Sequence, residues 1–125
     1  MTTAIVVLNT DGTNVAGYRE EVMTNGAVSF VDADGQGNAT LPPPLLDRFI
    51  DDVAAARPLA QIPAIPPCAK SASFGTSLYL MIGADRSPDL SCPHGPVAQA
   101  LADDIAAINA FLHVRATLRQ PSRPF

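Results

Sequence analysis

Charge is scarce in this chain: 16% of its residues are charged, against the usual quarter for a globular domain. No run of 18 or more apolar residues occurs, which excludes a membrane-spanning helix of ordinary length. There is no internal repeat, no glycine-rich phosphate loop and no dinucleotide fingerprint, so nothing marks a nucleotide-dependent enzyme. The nucleophile elbow Gly-x-Ser-x-Gly is missing as well. Gly75-Thr76-Ser77 lacks the second glycine and falls inside an expected strand, not at a strand-to-helix turn. Basic residues are few and uneven: Arg115, Arg119 and Arg123 lie in the last eleven positions, which leaves five basic residues against all twelve acids in 1–114. An acidic body of this kind repels a phosphate backbone, so nucleic acid is not an expected partner.

What is there is enough for one core. A chain of 125 residues, 47% of them hydrophobic, has the size and composition of a single domain, which buries about two-thirds of its unfolded surface. Twelve prolines add many rigid turns. Ala4 to Leu8 is a short β-branched run closed by Asn9-Thr10-Asp11-Gly12 and predicts a buried strand and a turn. Tyr18 to Thr24 and Ala27 to Val31 flank Asn25-Gly26, a strong hairpin signal. A strict two-residue turn there places Glu21 opposite Phe30. Asp32 to Asn38 is expected to be a polar loop leading to a helix with Thr40 as N-cap and Pro42, Pro43 and Pro44 in its first turn. Leu45, Leu46, Phe49, Ile50 and Val53 form its apolar stripe, and the helix is expected to end near Arg57-Pro58.

The proline-rich stretch Pro58 to Pro67 predicts an extended crossing. From Ala72 to Ile82 alternation predicts a strand with Phe74, Thr76, Leu78, Leu80 and Ile82 on one face. After a turn at Gly83 to Arg86, Ser87 to Ser91 is expected as a short edge strand, because Pro88 has no N–H to give. Val97, Leu101, Ile105, Ile108, Phe111 and Leu112 form the stripe of a second helix, with Gln99, Asp103 and Asn109 on its opposite side. The expected architecture is an α+β domain over 1–114: a small antiparallel sheet built from hairpins, with two amphipathic helices packed on one face. Residues 115–125 are expected to be a basic, disordered tail.

Three constellations bear on chemistry. Cys68 and Cys92 bracket the second hairpin and would close a loop of 25 residues. As a disulfide the pair would add about 3.5 kcal/mol through denatured-state entropy; as two thiols it would be ordinary in a reducing compartment. Cys92-Pro93-His94, with Cys68 or His113, is one loose set of soft ligands, whereas structural zinc shows two paired clusters. His113 instead suits the end of a helix, where a cation meets the macrodipole. In the acidic loop, Asp32, Asp34, Gln36, Gly37 and Asn38 stand at positions one, three, five, six and seven of a calcium loop, but Pro43 occupies the twelfth, where a bidentate glutamate is needed. Asp32, Asp34 and Asn38 are therefore the weak metal candidates, and an ordinary turn is the expectation. Asp51-Asp52 and Asp103-Asp104 are expected on exposed helix faces as solvated carboxylates.

The segment Ser71 to Cys92, with Ser73-Phe74-Gly75-Thr76-Ser77 and Ser87-Pro88-Asp89-Leu90-Ser91-Cys92, and the alanine-rich helix after it resemble an uncharacterised group of small bacterial proteins. Members are mostly predicted to be exported or lipid-anchored, with the pattern hairpin, helix, strands, helix over residues 18–114. The resemblance implies an exported, disulfide-bearing domain of unknown activity. As written, Met1 to Asn9 lacks a basic segment and a full signal-peptide core, which points toward the cytoplasm. The cysteine pair, the prolines and the few lysines favour the disulfide, and with the export that the resemblance implies, a periplasmic or extracellular location is the expectation. Functionally we expect a non-catalytic binding or interaction module for a protein or small-molecule partner, with no cofactor. The alternative is a small hydrolase-like or metal-dependent enzyme assembled only in three dimensions, which a pocket gathering His94 with acidic or hydroxyl groups would favour.

Overall fold

Alternation of apolar and polar residues organises the sheet. The computed structural model of the protein describes residues 4–10, 15–63, 77–91, 95–114 and 117–118. The strands are β1 (Ile5–Asn9), β2 (Val15–Ala16), β3 (Tyr18–Val22), β4 (Ala27–Asp32), β5 (Gly35–Thr40), β6 (Leu78–Ile82), β7 (Asp85–Arg86) and β8 (Thr117–Leu118). Six of them form an antiparallel sheet in the order β5-β4-β3-β1-β6-β7. Along β1, β3 and β6, every second residue turns inward: Ile5, Val7 and Asn9, then Tyr18, Glu20 and Val22, then Leu78 and Leu80 are all buried. Helices α1 (Pro43–Ala56) and α2 (Gly95–Leu112) contribute Leu46, Phe49, Val53, Leu101, Ile105 and Ile108 to the same core. This is the α+β domain expected, with its helices over one face of an antiparallel sheet.

The first hairpin differs from expectation by one residue. Its loop is Thr24-Asn25-Gly26, with the Met23 and Ala27 backbones bonded (Met23 N–H to Ala27 O, 2.8 Å) and Gly26 at φ +97°. A residue with a side chain adopts that φ only under strain, so glycine belongs there. Three loop residues instead of two shift the register, and Glu20, not Glu21, stands opposite Phe30.

Gly35 to Asn38, expected as part of the loop 32–38, form β5 together with Ala39 and Thr40. Asp32 pairs with Gly35, and the ladder runs on to Ala27 opposite Thr40. The expected helix N-cap Thr40 therefore ends a strand. Pro42 caps α1 instead, its carbonyl accepting the N–H groups of Leu45 (3.1 Å) and Leu46 (3.0 Å). Prolines fill the first turn because N–H groups there have no intrahelical partner to lose. Beyond α1, Leu59–Gln61 makes a single tight helical turn in the crossing. Both oxygens of Asp85 hold it, accepting from the N–H groups of Leu59 (2.9 Å) and Ala60 (3.0 Å). These bonds keep the Asp85 carboxyl below its ordinary range.

Asp85–Arg86, expected as part of the turn, form β7 against β6, and Ser87 to Ser91 follow it without forming a regular strand. The Ser87 hydroxyl accepts the Leu80 N–H (2.9 Å), and Asp89 accepts those of Leu78 and Ser91 (both 2.9 Å). The Ser87 and Leu90 N–H groups still donate to the Leu80 (2.9 Å) and Leu78 (2.7 Å) carbonyls, so beside Pro88 side chains replace ladder bonds only at the β6 N–H groups. Thr117–Leu118, in the segment expected to be disordered, pair with Val15–Ala16 in a second small sheet.

In α2 the inward stripe is rotated relative to expectation. Ala98, Leu101, Asp104, Ile105, Ile108 and Leu112 are buried, whereas Val97 (41%) and Phe111 (45%) are exposed. Leu101 and Ile105 are almost fully enclosed, and truncating either to alanine is expected to cost about 2–5 kcal/mol. Gln99 is exposed, bonded to Asp103 one turn on (2.8 Å), and its replacement by alanine should cost under about 0.5 kcal/mol. Chemical denaturation of the three variants checks this ordering.

Candidate functional site

The C-terminal half of α2 lies against β1 and β3 and leaves a groove of about 760 Å³, walled by Asn9, Tyr18, Asp34, Asn109, His113 and Val114. Its helix side is the face Ala106, Asn109, Ala110 and His113, spaced by three and four residues so that they share one side of the helix. The two alanines leave the space, and Asn109 supplies the polar atoms. Asn109, expected on the outer face of α2, is half-buried and faces the sheet.

Behind the groove stands Glu20, with no exposed surface. In the sheet it lies between Val7 of β1 and Phe30 of β4, so no water solvates its charge, and burial pushes its carboxyl up to about 8. Its polar contact is the Asn109 amide, 2.5 Å from Oε2 and 3.3 Å from Oε1. The other end of that amide lies 2.8 Å from the Tyr18 hydroxyl. Burial, with the Glu20 charge adding to it, pushes the Tyr18 phenol up to about 12, so it keeps its proton at any physiological pH.

His113 stands at the end of α2 with φ +60°, the left-handed region. The Val114 N–H donates to the Asn109 carbonyl (3.1 Å), closing the helix in the six-to-one manner that usually has glycine at the position of His113. The left-handed region costs a residue with a Cβ roughly 1–2 kcal/mol relative to glycine.

A second polar cluster joins the helices. Asp104, expected to be solvated, is 2% exposed and receives Arg48 Nε on Oδ1 at 2.8 Å. Burial first, then the neighbouring Asp52 carboxyl, raise Asp104 to about 7 against the pull of Arg48. Carboxyls this close share a proton more readily than they both ionise. Asp103 and Asp51 are exposed as expected.

Asp32 and Asp34 lie in the β4–β5 turn, where Asp32 Oδ1 accepts the Asp34 N–H (2.9 Å). Asn38 is carried away along β5, opposite Ser29, so the turn does not wrap these three around one point, and Asp34 lines the groove instead. Calcium at millimolar concentration is expected to leave the melting temperature unchanged; a calcium-specific rise lost in Asp32→Asn and Asp34→Asn variants would contradict this. Cys68, Cys92 and His94 lie outside the described residues.

Glu20 and Asn109 were missed at the sequence level, although the pattern Tyr18-x-Glu20-x-Val22 already places the glutamate on the face of two core residues. Comparison of the chain with protein-family models, with curated proteins and with solved structures finds no match.

Proposed function

We propose that this chain is a non-catalytic binding module that holds a small polar ligand in the groove between α2 and the β1–β3 region of the sheet. The observation that carries this reading is that Tyr18 and Asn109, hydrogen-bonded to each other, both line the groove, with the fully buried Glu20 against Asn109. Concave sites orient small ligands through a few fixed polar groups, and here Asn9, Tyr18 and Asn109 are set beside the apolar Ala106, Ala110 and Val114. His113, in a backbone conformation unfavourable to it, and Asp34 add one imidazole and one carboxylate at the same groove.

An enzymatic reading is favoured by one fact, a carboxyl poised near neutrality. Glu20, however, is fully buried and is not among the residues that line the groove. A general base must come within hydrogen-bond reach of its substrate, so Glu20 serves the binding surface from behind.

Amide chemical-shift mapping of the protein against a set of small polar compounds is the test. Shifts gathered on Tyr18, Ala106, Asn109 and His113, and lost in Tyr18→Phe, are expected. Shifts confined to the opposite sheet face, around Val6, Leu8, Tyr79 and Met81, would instead favour a macromolecular contact there.

The resemblance noted above extends the proposal to place, with the module working outside the cytoplasm and Cys68 bonded to Cys92. Intact mass is expected to rise by two hydrogens on reduction, and two freely alkylated thiols in natively produced protein would overturn the bridge.

A further inference from the structure

Three groups stand in a row from core to groove: the Glu20 carboxyl, the Asn109 amide 2.5 Å from it, and the Tyr18 hydroxyl 2.8 Å further on. An asparagine amide has an acceptor end and a donor end, and a carboxyl donates only when protonated. The row can therefore be ordered in two ways with its heavy atoms in place. In one, protonated Glu20 donates to Asn109 Oδ1, and Asn109 Nδ2 donates to the Tyr18 oxygen. In the other, the Tyr18 O–H donates to Asn109 Oδ1, and Asn109 Nδ2 donates to ionised Glu20. A separation of 2.5 Å suits an O–H···O bond and is short for N–H···O, which fits the first order with its proton on Glu20; the second order satisfies the same heavy atoms with Glu20 ionised.

We infer that Tyr18, Asn109 and Glu20 form a proton-linked relay that sets whether the groove offers its ligand a hydrogen-bond donor or only an acceptor. With a proton on Glu20, the Tyr18 oxygen receives Asn109 and its own O–H is left to donate toward the groove it lines. A ligand with a carbonyl, carboxylate or other acceptor oxygen is then the one that fits. When Glu20 releases its proton to solvent, a half-turn of the Asn109 amide draws the Tyr18 O–H inward, and the phenol presents lone pairs alone. This inference rests on the groove as the binding site and adds the chemistry of what it selects.

The groups around Glu20 leave it as the titrating member. Val7 and Phe30 flank it on the neighbouring strands, and α2 presents Asn109. Tyr18 on its own strand keeps its proton through the same pH range, since its phenol lies near 12. Asp104, also on α2, is engaged by Arg48 and Asp52 of α1, and Asp34 and His113 stand at the groove.

Carbon NMR of the whole chain tests the relay without any ligand. Glu20 Cδ is expected to titrate, and Tyr18 Cζ to move in step with the same midpoint while the phenol stays un-ionised. In Asn109→Ala, Glu20 should still titrate but Tyr18 should lose its inflection, because only the field of the charge remains. In Glu20→Gln, Tyr18 should be flat across the range. A Tyr18 inflection that persists undiminished in Asn109→Ala, or none in the wild type while Glu20 titrates, overturns the relay. Dimethyl sulfoxide, which only accepts hydrogen bonds, is the probe for selection: it should shift the groove amides several-fold more at pH 6 than at pH 9, and equally at both in Asn109→Ala. Equal shifts at both pH values in the wild type overturn the selection, whereas no shift at either overturns the groove as a binding site and leaves the relay to the carbon titration.

Discussion

Stability is expected to fall as pH rises from about 5 to about 8, the reverse of the usual behaviour of a protein with salt-bridged carboxylates. Glu20 is the main cause. Its carboxyl ionises at about 4.5 when the chain is unfolded and at about 8 when folded, so between those values the folded state binds more protons than the unfolded one. Unfolding stability decreases with pH wherever that holds. The contribution is fully present below about 4.5, declines across the window and is gone above about 8. A displacement of this size corresponds to roughly 3–5 kcal/mol. Asp104 acts in the same direction between 3.8 and about 7. Asp85, whose carboxyl is held low, opposes them only at the acid end, where its protonation removes the bonds to Leu59 and Ala60. The stability maximum should therefore lie near pH 4–5.

Glu20→Gln isolates the cause. Glutamine has nearly the shape of protonated glutamate and can donate to Asn109, so the variant should match the wild type at pH 5 and exceed it by several kcal/mol at pH 9. Urea unfolding across this range is the measurement. A wild-type curve that rises from pH 5 to 8, or a Glu20→Gln curve as steep as the wild type, would mean that the glutamate is not held neutral in the fold.

The second large effect is expected at Gly17, and its origin is purely steric. Gly17 links β2 to β3, where the chain passes so close to β1 that an added Cβ would stand 2.0 Å from the Asn9 carbonyl oxygen and 2.8 Å from its carbon. Those atoms are backbone, and Asn9 is fixed in the ladder opposite both Tyr18 and Leu78. Nothing nearby can yield without breaking pairing at the centre of the sheet. Gly17→Ala should destabilise by more than about 4 kcal/mol, a loss confined to a few mechanisms of which backbone collision is one. It should exceed Leu101→Ala, which removes volume and leaves the sheet intact. Since Asn9 and Tyr18 both wall the groove, any folded fraction should also show altered shifts at Asn109. A melting temperature within a degree or two of the wild type would show that the approach of β3 to β1 is looser than described.

How much of this was legible in the sequence differs by element, for physical reasons. The inward faces of β1, β3, β6 and α1 follow from the period of their apolar residues, because side chains alternate strictly along a strand and return every three to four residues along a helix. Those periods also made the α+β class and the helix positions readable. Residues 35–40 were not readable: Gly35-Gln36-Gly37-Asn38 has the composition of a loop, and it pairs as a strand only because β4 offers it a complete ladder and Phe30 lies over Gly37. The rotation of α2 was hidden too. Phe111 and Val97 fit a helical stripe as well as Ala98 and Asp104 do, and only packing against α1 and the sheet chose between them.

The candidate site divides along the same line. That Glu20 turns inward beside Tyr18 and Val22 was determined by the sequence, since alternation leaves it no other face. That it stays buried, titrates near neutrality and is met by Asn109 was decided by tertiary structure, because 89 positions separate the two residues in the chain and only the docking of α2 brings them within a hydrogen bond. The pairing of Asp104 with Arg48, of Asp85 with the turn at 59–61 and of Asp34 with the groove arose in the same way. Periodicity is a local property and fixes which face a side chain takes. A site depends on which faces meet, and that is set by the free energy of burying all of them together.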